Sequence, residues 1–183
     1  MRYPAAETAQ KHTKALESAS RLFRERGFSG ASISEIMTAT GLTHGSFYNH
    51  FDSKEDLLAE AFAHASDQSL AALEDYARSE EGKQAMFRDY LSPEHRDDAG
   101  SGCIMAALAT DFQTQPKTRA VVTHHVRSLI EKFGERFPWS SRRNKRKQAI
   151  HALTRMVGGL ILARVVIDPE LSSEILRSSL DDL

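Results

Sequence analysis

The chain has 183 residues, 40% hydrophobic, 27% charged and 8% aromatic, enough for one or two domains with a sizeable core. Its formal net charge is −1, so any binding to nucleic acid has to rest on a local surface. One cysteine, Cys103, excludes an intrachain disulfide and a four-thiolate zinc site.

No leader-like apolar segment follows Met1. The longest uncharged apolar run, Met156 to Ala163, falls short of the ~18 residues of a membrane span. A cytoplasmic protein without a membrane partner is the expectation.

The periodicity is helical throughout. Ala15, Ala19, Leu22 and Phe23 share one face of a first helix, which Gly27 stops. Ser32-x-x-Glu35 is a capping box opening a short second helix that ends at Gly41. Thr43 caps a third helix with Phe47 and Phe51 four residues apart. Ser53 opens a fourth, with Leu58, Phe62 and Ala65 on one face, running to about Ala77.

Lys83 to Leu91 reads as a helix ended by Pro93, and residues 93–102 as a loop. A short helix follows from Cys103 to Phe112. Pro116 opens a helix striped by Val122, Val126, Leu129, Ile130, Phe133 and Phe137. Arg142 to Ile167 forms another long helix, and Asp168-Pro169 opens the last, to about Leu180. No stretch alternates with period two. The fold is all-α, with about nine helices.

The second and third helices are separated only by Gly41-Leu42, a helix-turn-helix arrangement. In such a pair the second helix enters the DNA major groove. Its outer face is small and polar: Thr43, His44, Gly45, Ser46, Tyr48, Asn49 and His50. Small residues permit close approach to base edges, and the polar ones carry donors and acceptors for bases and phosphates. Lys54, at the start of the next helix, adds a charge to the positive end of a helix dipole and so suits a phosphate.

The stretch Gly27-Phe28, Ser32-x-x-Glu35-Ile36, Gly41-Leu42-Thr43-x-Gly45-x-Phe47-Tyr48-x-His50-Phe51-x-Ser53-Lys54-Glu55-x-Leu57 resembles the DNA-binding domain of the tetracycline-repressor (TetR) family. The match covers residues 12–60 without an insertion. The resemblance implies a helix-turn-helix domain (1–52) on a helical effector-binding and dimerisation domain (53–183). It implies a homodimer, joined through the last two helices, that reads a palindromic operator and releases it when a small molecule binds. By position, Tyr48, His50, Lys54 and Ser32 match backbone-contacting residues of the family. Thr43, His44, Gly45 and Asn49 fall where base readout varies. Ser46 stands where a larger aliphatic residue is usual.

The effector site is expected between the fourth and eighth helices, with Phe62, Met86, Tyr90, Cys103, Met105, Phe112, Val126 and Trp139 as lining residues and neutral or apolar compounds as ligands. Cys103, after a loop and before a helix, suits a redox or electrophile sensor. Free cysteine is also commonly a small buried hydrophobe. His124 and His125 point about 100° apart on a helix and do not easily share a metal, so no metal or cofactor is expected. Arg142-Arg143-Asn144-Lys145-Arg146-Lys147 suits nucleic acid, a solvated helix end or a salt-bridged dimer rim. No nucleophile–base pair, phosphate-binding glycine loop or metal-ligand spacing indicates an enzyme. The rival to a regulator is a helical small-molecule sensor or carrier that no longer binds DNA.

Overall fold

The computed structural model describes residues 5–41 and 44–181, without the side chains of residues 5–8 and of His44. In chain order it forms α1 (Ala5–Gly30), α2 (Ile33–Ala39), a 3-10 segment (His44–Asn49), α3 (Lys54–Ala72) and a 3-10 turn (Leu73–Asp75). Next come α4 (Glu80–Tyr90), α5 (Pro93–Asp97), α6 (Ile104–Leu108) and a 3-10 turn (Asp111–Thr114). The chain ends with α7 (Pro116–Arg136), α8 (Lys145–Val165) and α9 (Pro169–Leu180). No strand occurs among the described residues. No described helix is long and apolar enough to cross a membrane.

Local chemistry sets most boundaries. Ser32 and Glu35 form the capping box of α2, Ser53 accepts from the Asp56 amide, and Asp168 caps α9 ahead of Pro169. Gly27 holds φ +74°, a left-handed break before the last turn of α1.

Three expectations change. Pro93 opens α5 instead of merely ending α4, because Ser92 caps the His95 amide and proline suits the first helical position. The predicted loop thereby shrinks to the residues between α5 and α6. The last long helix begins at Lys145, where the Asn144 side chain accepts from the Lys147 amide. The third helix is a 3-10 segment of six residues, longer than such segments usually are: the His50 amide donates to the Phe47 carbonyl three residues back, and the buried Phe47 ring holds the segment in place.

Two apolar clusters form the core. The first joins Phe23, Ile36, Met37, Phe47 and Phe51 to Leu57, Leu58, Phe62, Ile104, Leu108 and Phe112. It runs across the predicted boundary at residue 52, so the N-terminal helices and the first half of α3 share one core. The second gathers Leu73, Met86, Phe87, Leu129, Phe133, Phe137, Met156 and Leu176.

Helices α3 and α7 run in the same direction, side by side. Lys117 pairs with Asp56 at one end (2.6 Å), and Arg136 with Glu74 at the other (2.6 Å). Gly159 of α8 meets α9 closely: a Cβ there would lie 2.8 Å from that of Ser179. Gly158 faces open space. The close crossing of α8 with α9 is thus made by Gly159 alone of this adjacent glycine pair.

Gly82 in the first turn of α4 is sterically obligatory. An added Cβ would overlap the Ala77 carbonyl, lying 2.8 Å from its carbon, and backbone cannot rotate away as a side chain can. Gly82→Ala is expected to cost about 1–3 kcal/mol, measured as a fall in urea midpoint at unchanged m-value. An unchanged midpoint would mean that the 76–79 turn yields freely.

Candidate functional site

The N-terminal site is built from buried aromatics outward. Phe47 is fully buried and packs its ring 5.5 Å from Phe51 and 5.0 Å from Tyr48. These anchors hold the His44–Asn49 segment against α2 and turn its other side out. Tyr48 is 63% exposed, Gly45 and Asn49 are exposed, and Ser46 and His50 are half-buried. The ring of His50 lies 6.1 Å from that of His12. Thr43 lies outside the described residues, as does the side chain of His44.

Two predicted phosphate contacts already have partners within the chain. The Ser32 hydroxyl donates to the Glu35 carboxylate (2.7 Å) and accepts from its amide. The Lys54 ammonium donates to the Phe28 carbonyl and lies 4.5 Å from the Phe28 ring centroid, closing the C-terminal end of α1 onto the start of α3. Burial lowers its pKa. A lysine has three protons to donate, so the bond to Phe28 leaves two for an anion.

The second site is a cavity of about 410 Å³ between α3, α4, α6, α7 and α8. Of the residues expected at an effector site, Met86, Tyr90, Cys103 and Met105 line it. Phe62 and Phe112 do not; they meet edge to face at 5.2 Å within the first core cluster. Val126 packs against the second cluster, and Trp139 lies near the far end of α7 beside Lys83.

Sequence reasoning did not place Tyr76 or Asp89 on this wall, and did not say which of His124 and His125 reaches it. His125 is 3% exposed, with Nδ1 2.5 Å from the Ser66 hydroxyl and its ring edge to face with Phe62. Burial drives its pKa down to about 4, so it is neutral at neutral pH. His124 is exposed. No group of three or more His, Cys, Asp or Glu fit for a metal occurs among the described residues.

Tyr76 donates to Asp89 (2.8 Å), and burial with that bond raises its pKa to about 12. The Tyr90 hydroxyl is buried with no nitrogen or oxygen partner; burial, and then the neighbouring Cys103 sulfur, push its pKa well above the usual value. A buried hydroxyl facing a cavity with at most a weak sulfur partner is the kind of group a ligand satisfies. The signal available for these residues was helical period, which says that a residue is inside but not what it meets there.

His95 ties the cavity to the rest of the molecule. Its Nδ1 donates to the Tyr90 carbonyl (2.6 Å), which leaves Nε2 to accept from the Cys103 amide (2.9 Å). Burial lowers its pKa, favouring this neutral form. Arg164 of α8 donates to the carbonyls of His95 (2.6 Å) and Arg96 (3.0 Å). From the same segment the Gly100 carbonyl accepts from Arg24 of α1 (2.6 Å), and the Phe28 amide donates to Asp111 (3.2 Å). A path of direct bonds therefore runs from the cavity wall to α1.

Residues 15–61 match the family model described as "Bacterial regulatory proteins, tetR family". The repressor AcnR of Corynebacterium efficiens is 33% identical over 121 residues, covering 63% of this chain and 58% of that protein. Residues 15–61 are a TetR-family segment.

The repressor BepR of Brucella suis biovar 1 is 28% identical over 153 residues, covering 84% of this chain and 66% of BepR. The chain thus spans between about half and two thirds of the length of these two relatives. Among solved structures, reduced Escherichia coli NemR superposes with a TM-score of 0.78 at 19% identity, covering 93% of both chains. A TetR-family regulator from Agrobacterium tumefaciens gives 0.77 at 21% identity, covering 96% of this chain and 98% of that one. These likenesses carry the TetR fold across the C-terminal helices, beyond the segment that the family model matches.

Proposed function

We propose that this protein is a sequence-specific DNA-binding transcriptional regulator: a repressor that reads a palindromic operator as a homodimer and releases it when a small molecule binds. The observation that carries this reading is the outward polar face at residues 45–50, clamped by buried Phe47 and Phe51 within the TetR-family segment. Gly45 gives the backbone close access to a groove. Ser46, Asn49 and His50 offer hydrogen-bonding groups, Tyr48 a hydroxyl and a ring, and Lys54 with Ser32 flank the face for phosphates. His44 and Thr43 belong to the same surface by sequence. Regulation, not catalysis, is the activity, and the cytoplasm, where operators are, is the location. Residues 1–52 act as the reading unit and 53–183 as the effector and pairing unit.

Leu162 and Val165 at the end of α8, Ile167 in the connection and Leu171 in α9 are between 41% and 100% exposed. Apolar side chains grouped along the last two helices suit burial against a second copy of the chain. Dimeric readers need half-sites one turn (≈ 34–36 Å) or a multiple apart, so a small change in the spacing of the two reading segments lowers affinity.

The effector is a neutral, mainly apolar molecule in the cavity, with one polar group meeting the Tyr90 hydroxyl. Its signal passes through the His95–Gly100 segment to Arg24. Arg24→Ala is therefore expected to shrink the ratio of operator affinities without and with effector by about five-fold or more. A ratio equal to wild type would remove this path.

The test of the function is selection from a random duplex library with purified protein at two salt concentrations. An enriched inverted repeat is expected. Absence of binding by protein free of co-purified small molecules, checked by mass spectrometry after denaturation, would favour a helical sensor or carrier that has left DNA.

A further inference from the structure

Residues 137–167 contain no Asp or Glu, yet they hold Arg142, Arg143, Lys145, Arg146, Lys147, Arg155 and Arg164. The first five are exposed, and none of the ion pairs found among the described residues includes them. They sit at the N-terminus of α8, a 21-residue helix whose dipole is positive at that end. Cations are disfavoured there by the dipole and by one another. Some of the backbone amides of that first turn also lack partners within the helix. An anion placed there would offset both the like charges and the dipole.

The surface is concave. A cavity of about 360 Å³ is lined by Arg143, Asn144, Lys147, Gln148 and His151. A second of about 230 Å³ shares Arg143, Gln148 and His151 and adds Lys83, Trp139, Ala152 and Arg155. They are two lobes of one cleft, and no carboxylate lines either. Gln148 shapes the cleft: it accepts from the Ser140 amide (3.2 Å) and donates to the carbonyls of Ser140 (3.1 Å) and Arg143 (3.2 Å), holding the loop with Arg142 and Arg143 across the helix end. Lys83 is 7% exposed, with its ammonium 2.9 Å from Glu80 and 5.0 Å from the Trp139 ring centroid.

The cleft is not part of the DNA-reading face. That face adjoins the start of α3. The cleft adjoins the far end of α7, which meets the far end of α3 at the Arg136–Glu74 pair. The length of α3 separates them by about 27 Å. Nor is it the effector cavity, with which it shares no lining residue.

We infer that this cleft binds a compact multi-phosphate anion: Arg143, Lys147 and the α8 amides take the phosphates, with Trp139 and His151 at the inner lobe. A membrane or a duplex would use the exposed charges but not the concavity.

Calorimetric titration of the full chain with sodium tripolyphosphate, and separately with ATP, at constant ionic strength tests this. Fluorescence of Trp139, the chain's one tryptophan, reports the location. Saturable binding that changes the fluorescence is expected, weakened about tenfold or more in the Arg143→Ala/Lys147→Ala double variant. Chloride alone should give none. Tighter ATP binding would identify a nucleoside phosphate as the ligand; equal affinity would identify a multi-phosphate without need of a base, and both support the site. Absence of saturable binding to either compound at millimolar concentration, or equal affinity in the double variant, would overturn it. So would a double variant altered only in its affinity for random-sequence duplexes, which would assign the charges to nucleic acid.

Discussion

Phe47→Ala is expected to abolish specific operator binding and to destabilise the N-terminal core by about 3–5 kcal/mol. The side chain is fully buried among Phe51, Ile36 and Met37, and the cavity left behind opens inside a segment of six residues. Such a segment has little backbone bonding of its own to keep it in place; packing does that work. Tyr48→Ala is the matched control. Tyr48 is 63% exposed, so its truncation should leave stability within about 0.5 kcal/mol while weakening operator binding. Thermal unfolding and operator titration of both variants check the pair. A Phe47→Ala protein with wild-type stability would mean that the aromatic anchor is not what holds the reading segment.

Acid should destabilise the protein earlier than its carboxylates alone explain. His125 has a pKa of about 4 in the folded chain, lowered by burial, against about 6.5 when unfolded. Between these values the unfolded chain binds a proton that the folded chain refuses. Stability is therefore full above pH ~6.5 and falls toward pH ~4, by about 3 kcal/mol if the site keeps its geometry. His95, also lowered by burial, acts in the same direction.

The carboxylates of Asp56, Glu74 and Glu80 have pKa values lowered mainly by bonds to Lys117, Lys132 and Lys83. Their contribution is lost only as pH falls through those lowered values, so the windows separate. Urea midpoints at pH 7, 5.5 and 4.5 should fall for the wild type and fall less for His125→Gln. Equal midpoints at pH 7 and 5.5 for the wild type would contradict the buried neutral imidazole.

The parts of the fold legible from sequence were those fixed by local chemistry. Ser32, Ser53 and Asp168 carry capping groups beside the amides that they satisfy, and a reader needs no tertiary information to see them. Pro93 was misread because proline ends one helix and suits the first position of the next equally well; only the Ser92 side chain decides.

The outward polar face beside Phe47 and Phe51 was legible because the two buried aromatics stand four residues apart among polar residues. The cavity was only half legible. Met86, Tyr90, Cys103 and Met105 reach it, but Phe62 and Phe112 meet each other instead. Period separates inside from outside, whereas a cavity is where inside residues fail to meet. His125 and His95 were visible as histidines, yet their bonds to Ser66, Tyr90 and Cys103 join residues on different helices or across a loop.

The central claim is that two copies of the outward face at residues 45–50 read one duplex. Its most direct test is the mass of the saturated complex, by light scattering, on the duplex enriched by selection, with each half-site scrambled in turn. The account predicts an even number of chains per duplex and loss of the complex when either half-site is scrambled. One chain per duplex, or equal affinity for the scrambled sequences, would contradict it.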